Sequence, residues 1–170
     1  KAGRIVIMGT AGLGDGNVTP VAEFNIWQDA EAAKIVTESG LDNIIFVGWD
    51  ACLGDCMLNP KEIKEIRESG KLGKFAIDCN KNLLEMNRER FGDDYLDMAD
   101  PSAMSAALYP ECIEKCEKYY CEVDVSAGPS YGAVLVDVNN VTGKEPNVYI
   151  CSKLYADKYK EYIYRTLKVK

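Results

Sequence analysis

The amino-acid sequence predicts an α/β protein with a Rossmann-like, mostly parallel sheet that is flanked by helices. Short apolar runs of strand length alternate with longer helical patterns, and this alternation is typical of parallel sheets whose strands are connected by helices. The chain has 170 residues, of which 47% are hydrophobic, so it is long enough to bury one core. We expect residues 1–170 to form a single domain, because no linker or internal repeat divides them.

The first half of the chain contains two predicted strands. Ile5–Met8 is a short β-branched run that leads into a glycine-rich loop, and Ile44–Val47 is a second apolar run of strand length. Between them Asp29 begins a helical pattern, in which its carboxylate is the expected N-cap. Pro60 begins a further helix, and the apolar positions of residues 74–91 predict one long helix.

The second half begins with a helix whose N-cap is expected to be Asp100, because Pro101 suits the first turn. Alternating residues then predict three short strands, at 119–125, 133–138 and 148–151. A final helix begins near Ala156 and places apolar residues on one face at four-residue spacing.

Composition argues against several classes of partner. The net charge is −7, and an acidic surface repels phosphate backbones, so we expect no nucleic acid partner. No apolar run approaches the length of a membrane span, so no membrane partner is expected. The seven cysteines are irregularly spaced and the chain has no histidine. A zinc site is therefore disfavoured, and reduced thiols in a cytoplasmic protein are the expectation.

The glycine-rich loop at residues 9–17 suggests a dinucleotide site, but the pattern is incomplete. Gly12 and Gly14 would need a small residue at position 17 to complete G-x-G-x-x-G, and that residue is Asn17. A dinucleotide-binding domain is kept as the less favoured alternative.

The segment GNVTPVAEFN, residues 16–25, places Asn17, Glu23 and Asn25 close together in the chain. Sugar hydroxyls both donate and accept hydrogen bonds, and amide and carboxylate groups match them. The same pattern also fits a turn in which Thr19 and Pro20 precede a short helix, and the residues alone leave both interpretations open. Elsewhere we expect Trp27 and Trp49 to be core aromatics and Asp50 to be a structural cap.

The same segment, followed by DAEAAKIV, closely resembles the ribose-binding segment of the inosine-uridine-preferring nucleoside hydrolase family. Further similarities follow in order along the chain, at Met8 and Gly9, at residues 45–50 and at residues 100–104. The resemblance implies the C-terminal part of a nucleoside hydrolase fold. It also implies hydrolysis of the N-glycosidic bond of ribonucleosides to ribose and free base by a calcium-bound water.

The resemblance also implies roles for individual residues. Asp100 matches a calcium ligand that also contacts the ribose, and it is the predicted catalytic and metal residue. The predicted sugar-binding residues are Asn17 and Glu23 at the 5′-hydroxyl, Asn25 at the 2′-hydroxyl, and Met8 and Phe24 beside the ring.

Asn87 and Phe91, which share a helix face with Leu83, correspond to base-pocket positions. The alternative is that Leu83 and Phe91 belong to the core and Asn87 to the surface.

Two departures from the family pattern limit what this chain can do alone. The family's acidic cluster of the form D-x-D-x-G-x-D-D does not occur in these residues, and Ala99 stands where many members have histidine. Calcium usually takes six to eight oxygen ligands, so Asp100 cannot hold it unaided. We therefore expect this chain alone to be inactive and its partner to be the missing N-terminal half of the same protein.

The resemblance further implies a homo-oligomer, either a dimer or a tetramer. The alternative function is a non-catalytic nucleoside- or ribose-binding module.

Overall fold

The computed structural model of the chain describes residues 3–169, and its main sheet has four strands in the order β1-β2-β6-β3. Strands β1 (Ile5–Met8), β2 (Ile44–Val47) and β6 (Val148–Leu154) are parallel, and β3 (Ile113–Tyr119) pairs antiparallel with β6. Strands and helices together form the α/β architecture with a mostly parallel sheet, which confirms the predicted fold class.

A smaller antiparallel sheet lies beside the main one and consists of β4 (Cys121–Val123) and β5 (Val134–Val136). Seven α-helices complete the described part of the chain: α1 (Phe24–Gln28), α2 (Ala30–Thr37), α3 (Pro60–Glu68), α4 (Lys71–Asp78), α5 (Lys81–Phe91), α6 (Ala99–Leu108) and α7 (Ala156–Leu167). Within residues 3–169, no helix combines the length and the apolar character needed to cross a bilayer.

The two faces of the main sheet carry separate apolar cores. On one face Val47, Leu58 and Tyr159 belong to a cluster formed with α3, α4, α6 and α7. On the other, Phe46 and Ile150 belong to a cluster that includes residues of α1, α2 and β4. Burial on both faces explains why the parallel strands read as continuous apolar runs.

Local signals set several helix ends as expected. The Asp29 carboxylate accepts a hydrogen bond from Ala32 N (3.0 Å) and caps α2. At α3, Pro60 occupies the first turn and Asn59 forms a reciprocal capping box with Glu62, which satisfies backbone N–H groups that the helix leaves free.

The prediction of one long helix over residues 74–91 is wrong. The chain forms α4 and α5 instead, and the helix is interrupted at Cys79 and Asn80. The Asn80 side-chain amide donates to Ala76 O (2.8 Å), and such local side-chain bonds compete with helix continuation.

The predicted start of α6 is also wrong by two positions. The helix begins at Ala99, its N-cap is Met98, and Asp100 lies in the first turn. The Tyr159 hydroxyl donates to Met98 O (3.0 Å), so α7 holds the residue at which α6 begins. The proposed capping role of Asp100 is therefore replaced by a position inside the helix.

The strand predicted at residues 119–125 is in fact two elements. Strand β3 ends at Tyr119 and β4 begins at Cys121, in the other sheet. Most of β3 was not predicted, because it is an edge strand with several charged, exposed residues and lacks a clean alternation.

Candidate active site

A cavity of about 420 Å³ lies where β1 and β2 end, between the glycine-rich loop and the start of α6. Open α/β sheets bind ligands at this carboxyl edge. Six of the eight predicted site residues line this cavity: Met8, Asn17, Glu23, Phe24, Asn25 and Asp100. Residues up to 92 positions apart in the chain, from Met8 to Asp100, are thus brought together in one place.

The loop before α1 is shaped by backbone hydrogen bonds to one carbonyl. The N–H groups of Asn17, Val18 and Thr19 all point to Ala22 O, at 3.1, 3.3 and 3.4 Å. A Cβ at Gly16 would lie 2.2 Å from Thr19 O and 2.4 Å from Ala22 O, so only glycine fits. This compact turn holds Asn17 over the cavity.

The two asparagines of the segment make hydrogen-bond contacts within the protein. Asn17 Oδ1 accepts a hydrogen bond from Phe24 N (2.8 Å), and Asn25 Nδ2 lies 3.4 Å from Met8 O and 3.0 Å from Met8 Sδ. These contacts join the start of α1 to the end of β1. The side chains are consequently oriented before any ligand is present, which reduces the entropy lost on binding.

Glu23 is both a cavity residue and the N-cap of α1. Its side chain is 3% exposed, and it accepts a hydrogen bond from Ile26 N (3.3 Å). Burial raises the pKa of this carboxyl above its usual 4.5, backbone N–H groups lower it, and the nearby Asp100 charge adds to the rise. The arrangement yields a rigid carboxyl whose remaining hydrogen-bonding capacity faces the cavity.

Asp50 lies beneath the glycine-rich loop. Its Oδ2 accepts a hydrogen bond from Leu13 N (2.9 Å), and a Cβ on Gly12 or Gly48 would fall 2.0 or 2.3 Å from Asp50 Oδ1. Asp50 Oδ1 is buried without a hydrogen-bond partner among residues 3–169, and burial raises the pKa of the carboxyl to about 6. The expected capping role is wrong, because Gly48 is the N-cap of the short 3₁₀ helix there.

Asp100 lines the cavity from the first turn of α6 and is exposed to solvent. A carboxylate in this position is favoured by the partial positive charge of the helix N-terminus. Among residues 3–169 there is no group of three or more acidic, cysteine or histidine side chains arranged to hold a metal ion. Calcium needs six to eight oxygens, so the described residues do not by themselves fit this ion.

A second cavity of about 600 Å³ adjoins the first. The two share Asn17, Phe24, Trp49, Leu83 and Asp97 as lining residues. Asn87 also lines the second cavity but is 4% exposed, so the alternative of a surface asparagine is wrong. Phe91 is 39% exposed and is absent from the lining of both cavities, so the structure does not bring it to the site.

Asp97 and Trp49 are site residues that sequence reasoning missed. Asp97 is 6% exposed and accepts hydrogen bonds from Trp49 Nε1 (2.9 Å) and Asn87 Nδ2 (2.6 Å). The Arg90 guanidinium lies 4.6 Å from the centroid of the Trp49 ring. Trp49 is buried as expected but also lines both cavities, whereas Trp27 is 37% exposed and not a core residue.

One signal in the sequence pointed towards Asp97. It lies three residues before Asp100, which the family resemblance marks as a site residue. Leu96 pairs with Leu58 through two backbone hydrogen bonds of 2.9 and 3.0 Å, which fixes the position of the residue that follows.

Comparison with known proteins decides the family. The family model described as "Inosine-uridine preferring nucleoside hydrolase" matches residues 1–161. The chain belongs to this nucleoside hydrolase family. Membership accounts for the order of the motifs from Met8 to Asp100, and it lends no support to the dinucleotide-binding alternative.

Curated members of the nucleoside hydrolase family include similar sequences from enteric bacteria. The chain is 34% identical over 151 residues to the pyrimidine-specific ribonucleoside hydrolase RihB of Escherichia coli (strain K12 / DH10B), covering 88% of this chain and 47% of the relative. It is equally similar to the putative RihB of Shigella boydii, of which it covers 61%. The chain thus spans about half the length of the curated relatives it matches.

Solved nucleoside hydrolases share the fold over the same part. A plant nucleoside hydrolase, the PpNRh1 enzyme, superposes with a TM-score of 0.86 at 25% identity, covering 99% of this chain and 54% of that one. The purine-preferring ribonucleoside hydrolase from Gardnerella vaginalis gives a TM-score of 0.82 at 28% identity, covering 98% and 52%.

Proposed function

We propose that this chain forms the ribose- and base-facing wall of an enzyme that hydrolyses the N-glycosidic bond of ribonucleosides to ribose and free base. The observation that carries the proposal is the meeting of Asn17, Glu23, Asn25 and Asp100 in one cavity at the carboxyl edge of the sheet. The names of the curated relatives, which are ribonucleoside hydrolases, support it.

In this proposal the polar groups of the first cavity bind the sugar. Asn17 and Glu23 bind the 5′-hydroxyl, and Asn25 binds the 2′-hydroxyl, while Met8 and Phe24 contact the ring. Glycoside hydrolysis passes through an oxocarbenium-like transition state with a flattened ring. Side chains that are already held in place by hydrogen bonds can favour that geometry over the ground state.

Calcium is the cofactor we propose for the whole protein, with Asp100 as one ligand. Because the described residues do not fit calcium alone, the remaining ligands would come from residues outside this chain, in its missing N-terminal half. The sugar contacts of Asn17, Glu23 and Asn25 do not depend on the ion. Ala99 offers no proton for the leaving base, so we assign the handling of the base to the second cavity.

We further propose that the protein is a cytoplasmic homo-oligomer that acts on free nucleosides. All seven cysteines are free thiols, which fits a reducing compartment. The assembly rests on the family resemblance and is tested by light scattering of the intact protein.

The deciding experiment measures the release of base from uridine and inosine by the intact protein, with and without a calcium chelator. Chelator-sensitive turnover supports the proposal. Nucleoside binding in calorimetry without turnover would favour the non-catalytic binding module, and binding of NAD without nucleoside binding would favour the dinucleotide alternative.

A further inference from the structure

We propose that Asp97 is a specificity-determining residue whose carboxylate accepts a hydrogen bond from an N–H group of the nucleobase. The inference rests on the proposed function and concerns the second cavity. It identifies the feature of the base that is recognised, which is a ring N–H that faces Asp97.

The hydrogen-bonding capacity of Asp97 is only partly used within the protein. A carboxylate offers about four acceptor positions, and Asp97 uses two, one on each oxygen, for Trp49 Nε1 and Asn87 Nδ2. Among residues 3–169 no lysine or arginine forms an ion pair with it. A buried carboxylate without a cation is costly unless further donors satisfy it, and the side facing the cavities is open to a ligand donor.

The two protein partners fix the chemical role of the group. An indole N–H and an amide NH₂ can only donate hydrogen bonds, so both oxygens of Asp97 act as acceptors. Asp97 is therefore suited to accept a hydrogen bond from an N–H group of the ligand. It does not replace the proton-donating histidine that many family members have at the position of Ala99. It binds the base by its N–H edge.

The position of Asp97 relates the base to the sugar. Asp97 lines both cavities, and the predicted sugar-binding residues line the first. A base joined to a ribose in the first cavity would extend past Asp97 into the second, beside Trp49 and Leu83. The Trp49 ring is held by its bond to Asp97 and by Arg90, so this wall combines a flat apolar surface with a charged acceptor, which matches a flat ring that carries an N–H.

The test compares kcat/KM of the intact protein on nucleosides with and without a ring N–H. Uridine is compared with 3-methyluridine, and inosine with 1-methylinosine. Inosine is also compared with purine riboside, which lacks the N1–H together with the 6-oxo group and adds no bulk. The wild type should have a higher kcat/KM on uridine or inosine, whichever it hydrolyses, than on the analogue that lacks the N–H. Asp97→Asn, which keeps the side-chain volume, should reduce this preference about ten- to hundredfold, because hydrogen bonds to charged groups are the stronger ones.

Asp94→Asn is the matched control. Asp94 is three residues away, lines neither cavity and pairs with Arg88 at the surface, so its substitution should leave the preference unchanged. If Asp97→Asn does not fold, the wild type still decides, because equal turnover of inosine and purine riboside, or of uridine and 3-methyluridine, overturns the inference. An unchanged preference in folded Asp97→Asn overturns it too. Absence of turnover on every nucleoside overturns the proposed function itself.

Discussion

Asp100 lies inside the first turn of α6 rather than at its cap, and this position separates its chemical role from a structural one. In the intact protein we predict that Asp100→Ala and Asp100→Asn both reduce kcat/KM by about a hundredfold or more, since each removes the charge. Because Met98 is the N-cap, each change removes only the interaction of the charge with the helix N-terminus and should lower the free energy of unfolding by no more than about 1 kcal/mol. An Asn variant with wild-type turnover would remove Asp100 from the site.

Asp50 should make folding stability depend on pH. Its pKa is raised from 3.8 to about 6 in the folded state, so the folded protein binds this proton more tightly than the unfolded chain does. The contribution of this group to the free energy of unfolding should therefore be largest below about pH 4. It should fall as the pH rises from 4 to 6 and stay lower above that. The loss should amount to about 2 kcal/mol after allowance for partial exposure.

Urea denaturation of the wild type and of Asp50→Asn between pH 4 and 7 measures this effect. Glu23, whose pKa is also raised, contributes with the same sign in both proteins and cancels in the difference. A difference in unfolding free energy between wild type and variant that does not change with pH would contradict the prediction.

At the residue scale, the sequence predicted those site residues that a recognisable motif contains. Asn17, Glu23, Phe24 and Asn25 stand within one decapeptide, and all four line the cavity. Asp97 was missed because its partner Trp49 lies 48 positions away, and no local pattern records such a contact. The role of each predicted residue stays a prediction until substrates are tested.

At the scale of elements, the end of β2 packs so closely against the glycine-rich loop that Gly48, the residue after β2, has no room for a side chain. A Cβ on Gly48 would lie 2.3 Å from Asp50 Oδ1 and 2.7 Å from Gly12 Cα. We predict that Gly48→Ala destabilises the protein by about 1–3 kcal/mol, because the overlap forces backbone to shift. Gly128→Ala, where nothing lies within 4 Å, is the control and should change stability by less than about 0.5 kcal/mol. Thermal or urea unfolding of both variants checks this, and equal stabilities would count against the observed packing.

Elements were predictable where local chemistry sets them and not where tertiary pairing does. The strands β1 and β2 follow from apolar runs, and the start of α3 follows from Pro60. By contrast, β3 is stabilised by its long pairing with β6, and its own charged sequence carries little strand signal.

At the scale of the whole molecule, we predict that the isolated chain of residues 1–170 neither binds calcium tightly nor hydrolyses nucleosides, whereas the intact protein does both. The described residues offer no cluster of three metal-binding side chains, and Asp100 alone supplies too few oxygens. Calorimetry with calcium and a base-release assay on both proteins test this. Turnover by the isolated chain would show that the assignment of the missing ligands is wrong.

The shared hydrogen-bond acceptor at Ala22 should also determine how fast the backbone amides of the loop exchange with solvent. Because the amides of Asn17, Val18 and Thr19 all point to one carbonyl, a single rotation of that peptide unit would release all three. Their protons should therefore exchange with solvent deuterium at similar rates, as one cooperative opening. A bound sugar that holds Asn17 should slow all three together, so the loop reports occupancy of the cavity through an exchange rate.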